Sequence, residues 1–292
     1  MDSFTIKDLE NLSGIKAHTI RIWEQRYKFL KPSRTGTNIR VYSNDELKKI
    51  LNIALLNKYG FKISHIDRMD ELEVKERILS LTPLQANQER IVNELIQHMV
   101  DLDMDKFEQV LVNFISTKGI ERMITQIIFP FMEKIGILWL TNHINPAQEH
   151  LVSNMIRQKL IAGLETVNSP FKINKSVLLF LPEGEHHELG ILFMNYVLKS
   201  RGISTIYLGA NIPLKDVEYV VNLKNPDYLY SHITTVSNGF SFDKFMLNMT
   251  RKFLKTPIVI SGQFTQTYQK KIPPHVNFRR SFTEVMEFVA GF

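Results

Sequence analysis

The sequence predicts a multidomain α and α/β chain: a winged helix-turn-helix, then a four-helix bundle, then a doubly wound parallel sheet of flavodoxin-like size. Three observations carry that reading. The first 70 residues hold two short helical stretches about a glycine turn, with five more basic than acidic residues out of a net charge of +6 for all 292. Residues 88–166 keep a helical spacing of apolar side chains. From residue 170 onward, short apolar runs alternate with helical patterns, as βα units on a parallel sheet do. The expected segments are 1–75, 85–168 and 170–292.

Composition limits the function classes. A hydrophobic content of 44 % suffices for two or three cores. The absence of cysteine excludes a disulfide scaffold and a thiolate metal site, and fits a reducing cytoplasm. The start MDSFTIKDLE has neither the basic nor the apolar region of a signal peptide. The most apolar stretch, 124–140, is interrupted by Pro130, Glu133 and Lys134, so it reads as a buried helix pair and no membrane partner is expected. The basic excess of the first segment points to a polyanionic partner for that segment alone.

At the amino end, Thr5 caps a helix with Asp8 in its first turn, and Ser13-Gly14 closes it. A second helix spans about 17–27, with Ile20, Ile22 and Trp23 available to pack and His18, Thr19, Arg21, Arg26 and Tyr27 available to touch DNA. The polar loop around Gly36 and the short strand 39–42 read as a wing, with Arg34, Arg40 and Tyr42 suited to phosphate contacts. The array TIRIWEQRYKFLKPSRTGTNIRVYSNDEL resembles the DNA-binding domain of MerR-type regulators, over residues 4–69. That resemblance implies double-stranded promoter DNA as partner and binding as a homo-oligomer. Residues 71–88, broken at Thr82-Pro83, are too short a helical pattern to hold a dimer as a coiled coil.

Four helices are expected in the middle: 88–101, 104–118, 120–140 with a bend at Pro130, and 146–165 opened by Pro146. Trp139 ends the third; Glu149 and His150 lie on the first turn of the fourth. Taken alone, a bundle tryptophan reads as core and an early glutamate as a partner of the helix dipole.

Beyond residue 170 the expected strands are 177–181, 205–208, 228–233, 258–261 and 276–278. The helices are 188–200, 213–223, 241–254, 264–271 and 282–290. Ligands of such sheets sit outside the carboxyl ends of the strands. The loop there, after the first strand, carries Glu185, His186, His187 and Glu188. Glu185-x-His187-x-x-Gly190 resembles the Asp-x-His-x-x-Gly motif of cobalamin-binding domains of the base-off, His-on form. The resemblance makes His187 the lower axial cobalt ligand, Glu185 the acceptor that fixes its tautomer, and Gly190 the point where the nucleotide tail approaches. It equates Ser231-x-Ile233 with the family's Ser-x-Leu, which meets the buried dimethylbenzimidazole, and Gly262-Gln263 with its Gly-Gly. Two departures stand out: Glu for Asp at 185, and Gln263 for the second glycine.

The order of bundle and α/β domain is similar to the methylcobalamin-binding module of methionine synthase. Trp139 with Glu149-His150 resembles the capping motif of the CarH/LitR photoreceptor regulators, where Trp and Glu sit above cobalt and accept an adenosyl group. Photoreceptor members can carry a histidine directly after the Trp; here that position is Leu140, with His143 and His150 nearby. The resemblance therefore implies a transcriptional regulator, expected to repress, that takes adenosylcobalamin or another cobalamin and responds to it as a dimer or tetramer. The rival is a ligand-independent regulator that keeps the fold and reads a partner protein. An enzyme is not expected, because cobalamin enzymes need a substrate domain such as a barrel of about 250 residues and no segment is left to form one. Zinc hydrolysis lacks the second histidine one turn beyond His187.

Overall fold

The computed structural model describes residues 4–27, 29–140, 144–234 and 240–292, with the backbone alone at 137, 139 and 140. The chain divides into two compact units, 1–155 and 156–292. Among the described residues, no helix is long and apolar enough to cross a membrane.

In the first unit, α1 (Ile6–Ser13) opens on a capping box in which Thr5 and Asp8 satisfy each other's backbone N–H groups. It closes at Gly14, whose φ of 74° lies in the left-handed region that favours glycine. Next, α2 (Ala17–Arg26) buries Ile20 and Trp23. The wing pairs β1 (Ser33–Arg34) with β2 (Arg40–Val41) antiparallel, and Phe4 bridges to Tyr42 as a third edge. Ser43 and Glu46 form a second capping box, on α3 (Asn44–Lys58). Two short helices follow, α4 (Ile63–Ile66) and α5 (Glu71–Leu79).

The bundle then runs α6 (Leu84–Val100), α7 (Met104–Lys118), α8 (Ile120–Met123), α9 (Phe129–Leu140) and α10 (Pro146–Thr166). Between α8 and α9 lies a π-helical turn, Ile124–Ile128. Sequence expectation put a bend at Pro130; the structure shows a widened, π-helical turn just before it. The cause is local: proline has no N–H for the carbonyl of residue 126, and its ring crowds that oxygen. Fully buried Phe107 and Phe131 meet edge to face at 5.6 Å. Each such buried ring contributes about 1.5–3 kcal/mol.

In the second unit, β3 (Ile173–Pro182), α11 (Leu189–Ser200), β4 (Ile203–Ile212), α12 (Leu214–Lys224), β5 (Tyr228–His232), α13 (Phe242–Lys252), β6 (Ile258–Ser261), α14 (Gln263–Thr267), β7 (Val276–Arg279) and α15 (Phe282–Ala290) alternate as expected. The parallel sheet has the order β4-β3-β5-β6-β7. One face buries Leu178, Phe180, Leu229 and Ile260 under α12 and α13. The strand order reverses between β3 and β5, so the loops leaving those two strands flank a crevice. Glu185 and His187 lie on one of those loops and Thr234 on the other.

Candidate functional site

Glu185 is the anchor of the β3–α11 loop. Its side chain is fully buried, a costly place for a carboxylate unless donors surround it. Oε1 accepts from the His187 backbone N–H (2.9 Å) and from His187 Nδ1 (2.6 Å), and Oε2 accepts from the Thr234 N–H across the crevice (2.9 Å). A carboxylate only accepts, so Nδ1 carries a proton, and the lone pair of the unprotonated ring lies at Nε2. The His187 side chain is 53 % exposed. Asn211, with φ of 59°, braces the loop from β4: its N–H donates to the Glu185 carbonyl (3.1 Å) and its Oδ1 accepts from the Gly184 N–H (2.9 Å). Sequence reasoning missed Asn211 and Thr234, whose signals are a lone Asn between two apolar residues and a Thr just past a strand.

Gly190 and Gly262 are both places where a side chain could not fit. A Cβ on Gly262 would lie 2.2 Å from the Ile233 carbonyl oxygen. One on Gly190 would lie 2.4 Å from Cδ2 of His232, so the room left by this glycine is filled by an imidazole of the chain itself. His232 Nδ1 is 2.7 Å from Ser261 Oγ, and the same oxygen is 2.6 Å from the Tyr230 hydroxyl. Strand alternation sends Ser231 to the opposite face, with Leu229 and Ile233, where its buried Oγ has no hydrogen-bond partner among the described residues. The resemblance gave Ser231 the dimethylbenzimidazole and Gly190 the passing tail; in the structure the side chain beside Gly190 is that of His232. Gln263 is exposed on the first turn of α14.

Burial lowers the His232 pKa from 6.5 to about 4, outweighing the pull of the Glu185 charge. A histidine held neutral in the fold favours folding above its unfolded pKa and loses that contribution as pH falls towards the folded one. The carboxyl-terminal unit is therefore expected to lose stability between pH 6.5 and about 4. Urea unfolding across that range checks it, and His232→Gln is expected to flatten the dependence.

The donor set thus fits the metal end of a corrinoid: an imidazole held by Nδ1, with Nε2 outside the Glu185 contact, on an exposed loop. The tail end is occupied, since the space beside Gly190 holds the His232 ring.

In the bundle, Glu149 is 26 % and His150 71 % exposed, with Oε2 and Nδ1 3.2 Å apart. Buried Gln148 fixes the start of α10, accepting from the Asn145 N–H (2.9 Å) and donating to the carbonyls of Met99 and Val100 (both 3.4 Å). The side chains of Trp139 and Leu140, and all of His143, lie outside the described residues.

On the amino-terminal segment, His18, Arg21 and Arg26 are exposed along α2, Thr19 and Tyr27 are partly so, and Arg34 is exposed on the wing with its guanidinium on Asn38 Oδ1 (2.7 Å). Arg40 is engaged inside the fold: its Nε lies 3.0 and 2.9 Å from the two oxygens of Glu24. The expectation for Tyr42 is corrected. This ring is fully buried, its hydroxyl donates to Glu24 (3.3 Å), and it holds the wing on α2 rather than touching phosphate. Removing the shared acceptor in Glu24→Ala is expected to cost about 1–3 kcal/mol of stability, read by urea unfolding.

Residues 4–72 match the family model of the MerR HTH family regulatory protein, and residues 91–162 match that of a B12 binding domain. Over 269 residues the chain is 26 % identical to the HTH-type transcriptional repressor CarA of Myxococcus xanthus, covering 91 % of this chain and 89 % of that protein. It is 24 % identical to the repressor CarH of the same organism over 276 residues, 91 % of each. The fold is similar to that of the monomethylamine corrinoid protein of Methanosarcina barkeri, at a TM-score of 0.56 and 13 % identity, over 70 % of this chain and 100 % of that one. The chain joins a MerR helix-turn-helix domain to a B12-binding domain and is homologous to the transcriptional repressors CarA and CarH.

Proposed function

We propose that this transcriptional regulator binds promoter DNA through its first 75 residues and senses a cobalamin through the rest, with adenosylcobalamin as the form bound and light as the signal. The observation that carries the reading is the buried Glu185 carboxylate, which holds the His187 ring by Nδ1 at 2.6 Å while reaching Thr234 across the crevice. That arrangement presents Nε2 as a metal ligand at no cost of tautomer selection. Bound there, adenosylcobalamin supplies a cobalt–carbon bond that visible light can break. His187 would supply Nε2 to the cobalt and Glu185 would hold the ring by Nδ1, while Gly262 keeps the β6–α14 turn close to the β5 loop. Trp139, Glu149 and His150 are assigned to the upper ligand on the family resemblance.

On the DNA side, His18, Thr19, Arg21, Arg26 and Tyr27 meet the groove and its flanking phosphates, and Arg34 contacts the backbone from the wing, while Arg40 holds the wing to Glu24 of α2. Each head alone gains little, so an oligomer that places several heads on one site raises affinity through effective concentration. Size-exclusion chromatography of the full chain with adenosylcobalamin, in the dark and after illumination, tests the switch. A larger species in the dark that separates in light is expected; an unchanged size in both would remove light as the signal.

A further inference from the structure

Resting on the cobalamin reading above, we propose that His232 sets which corrinoids the chain accepts: it disfavours a ligand whose nucleotide tail must pass beside Gly190 and favours a corrinoid without that tail. The two ends of such a ligand meet unequal conditions. At the metal end nothing has to move, since Glu185 and His187 already stand in ligating order. At the tail end the approach to the first turn of α11 is closed by an imidazole packed against Gly190 so tightly that not even a methyl group fits between them.

That imidazole is not loosely placed. Ser261 Oγ, itself buried, is bonded to both His232 Nδ1 and the Tyr230 hydroxyl, and Tyr230 stacks on Phe288 of α15 with ring centroids 6.4 Å apart. Swinging the ring out breaks its bond to Ser261 and strands polar atoms in the interior of the sheet, a cost charged only to ligands that need the space. Ser231 gives no compensating contact there, because its hydroxyl leaves the strand on the other face. A small side chain at 232 would open the path; the chain carries a histidine instead.

The test titrates the purified full chain separately with cobinamide, which lacks the nucleotide tail, and with hydroxocobalamin, following visible absorption and equilibrium dialysis. Cobinamide is expected to bind more tightly by about tenfold. His232→Gly is expected to narrow that ratio by about tenfold, and Ser261→Ala, which releases the ring without removing it, to move it the same way. Cobalamin's own benzimidazole also competes with His187, so the change of ratio in the variants is the reading that counts, and Ser261→Ala supplies it if His232→Gly fails to fold. Hydroxocobalamin binding as tightly as cobinamide to the wild type, or a ratio unmoved in folded His232→Gly, would overturn the proposal. Should neither corrinoid bind the wild type or the variants, the cobalamin reading itself falls.

Discussion

Replacing Glu185 by alanine is expected to destabilise the carboxyl-terminal unit by about 3 kcal/mol and to disorder the β3–α11 loop. The fully buried carboxylate accepts the His187 backbone N–H, the His187 ring N–H and the Thr234 N–H, and alanine leaves these without their acceptor. Hydrogen bonds to a charged group contribute about 1.5–3 kcal/mol each, and solvent entering the cavity recovers part of the loss. Glu185→Gln separates structure from tautomer control. Its amide oxygen can still accept from a backbone N–H, so most stability is expected to return. With its oxygen towards Thr234 the NH2 group faces Nδ1 and cannot accept from it; with its oxygen towards His187 it accepts from Nδ1 without the carboxylate's charge, and in either case corrinoid affinity is expected to stay down by about 10–100-fold. Urea unfolding and corrinoid titration of the two variants, side by side, check both halves.

Gly262→Ala is expected to cost about 3–5 kcal/mol, for two reasons that add. The residue adopts φ 99° and ψ 179°, a region open in practice to glycine alone. The new Cβ would also lie 2.2 Å from the Ile233 carbonyl oxygen, and backbone cannot step aside as a flexible side chain can. The strand ends β5 and β6, which also carry His232 and Ser261, would have to part. Thermal unfolding reads the loss. A melting temperature within a few degrees of the wild type would show that the β6–α14 turn can relax, against the geometry described.

Much of the architecture follows from local pattern. Strands rich in Val, Ile and Leu, glycine turns after helices, and caps at Thr5, Ser43 and Ser281 fix where elements begin and end. The Glu185–His187 pair was legible too, because the two are near in sequence and two residues suffice to make it. The tail end was not. A one-residue shift of register in a strand exchanges its faces, and the run Tyr230-Ser231-His232 looks polar on both. Only the contact with Gly190, forty-two residues earlier in the chain, shows which face matters. Tyr42 was misread for a similar reason: an aromatic on a wing is equally a phosphate partner or a plug, and Glu24, on a different element, decides. The π-turn before Pro130 depends on where the chain relaxes a strain whose source alone is visible in sequence.

The measurement that bears most directly on the account is the dark visible spectrum of the full chain after incubation with adenosylcobalamin and removal of free ligand, set beside that of His187→Ala. The wild type is expected to retain colour with the absorption of cobalt carrying an axial imidazole, and the variant to lose the colour or shift to the absorption of the base-off form. A wild type that emerges colourless, or two proteins with the same bound spectrum, would contradict the assignment of His187.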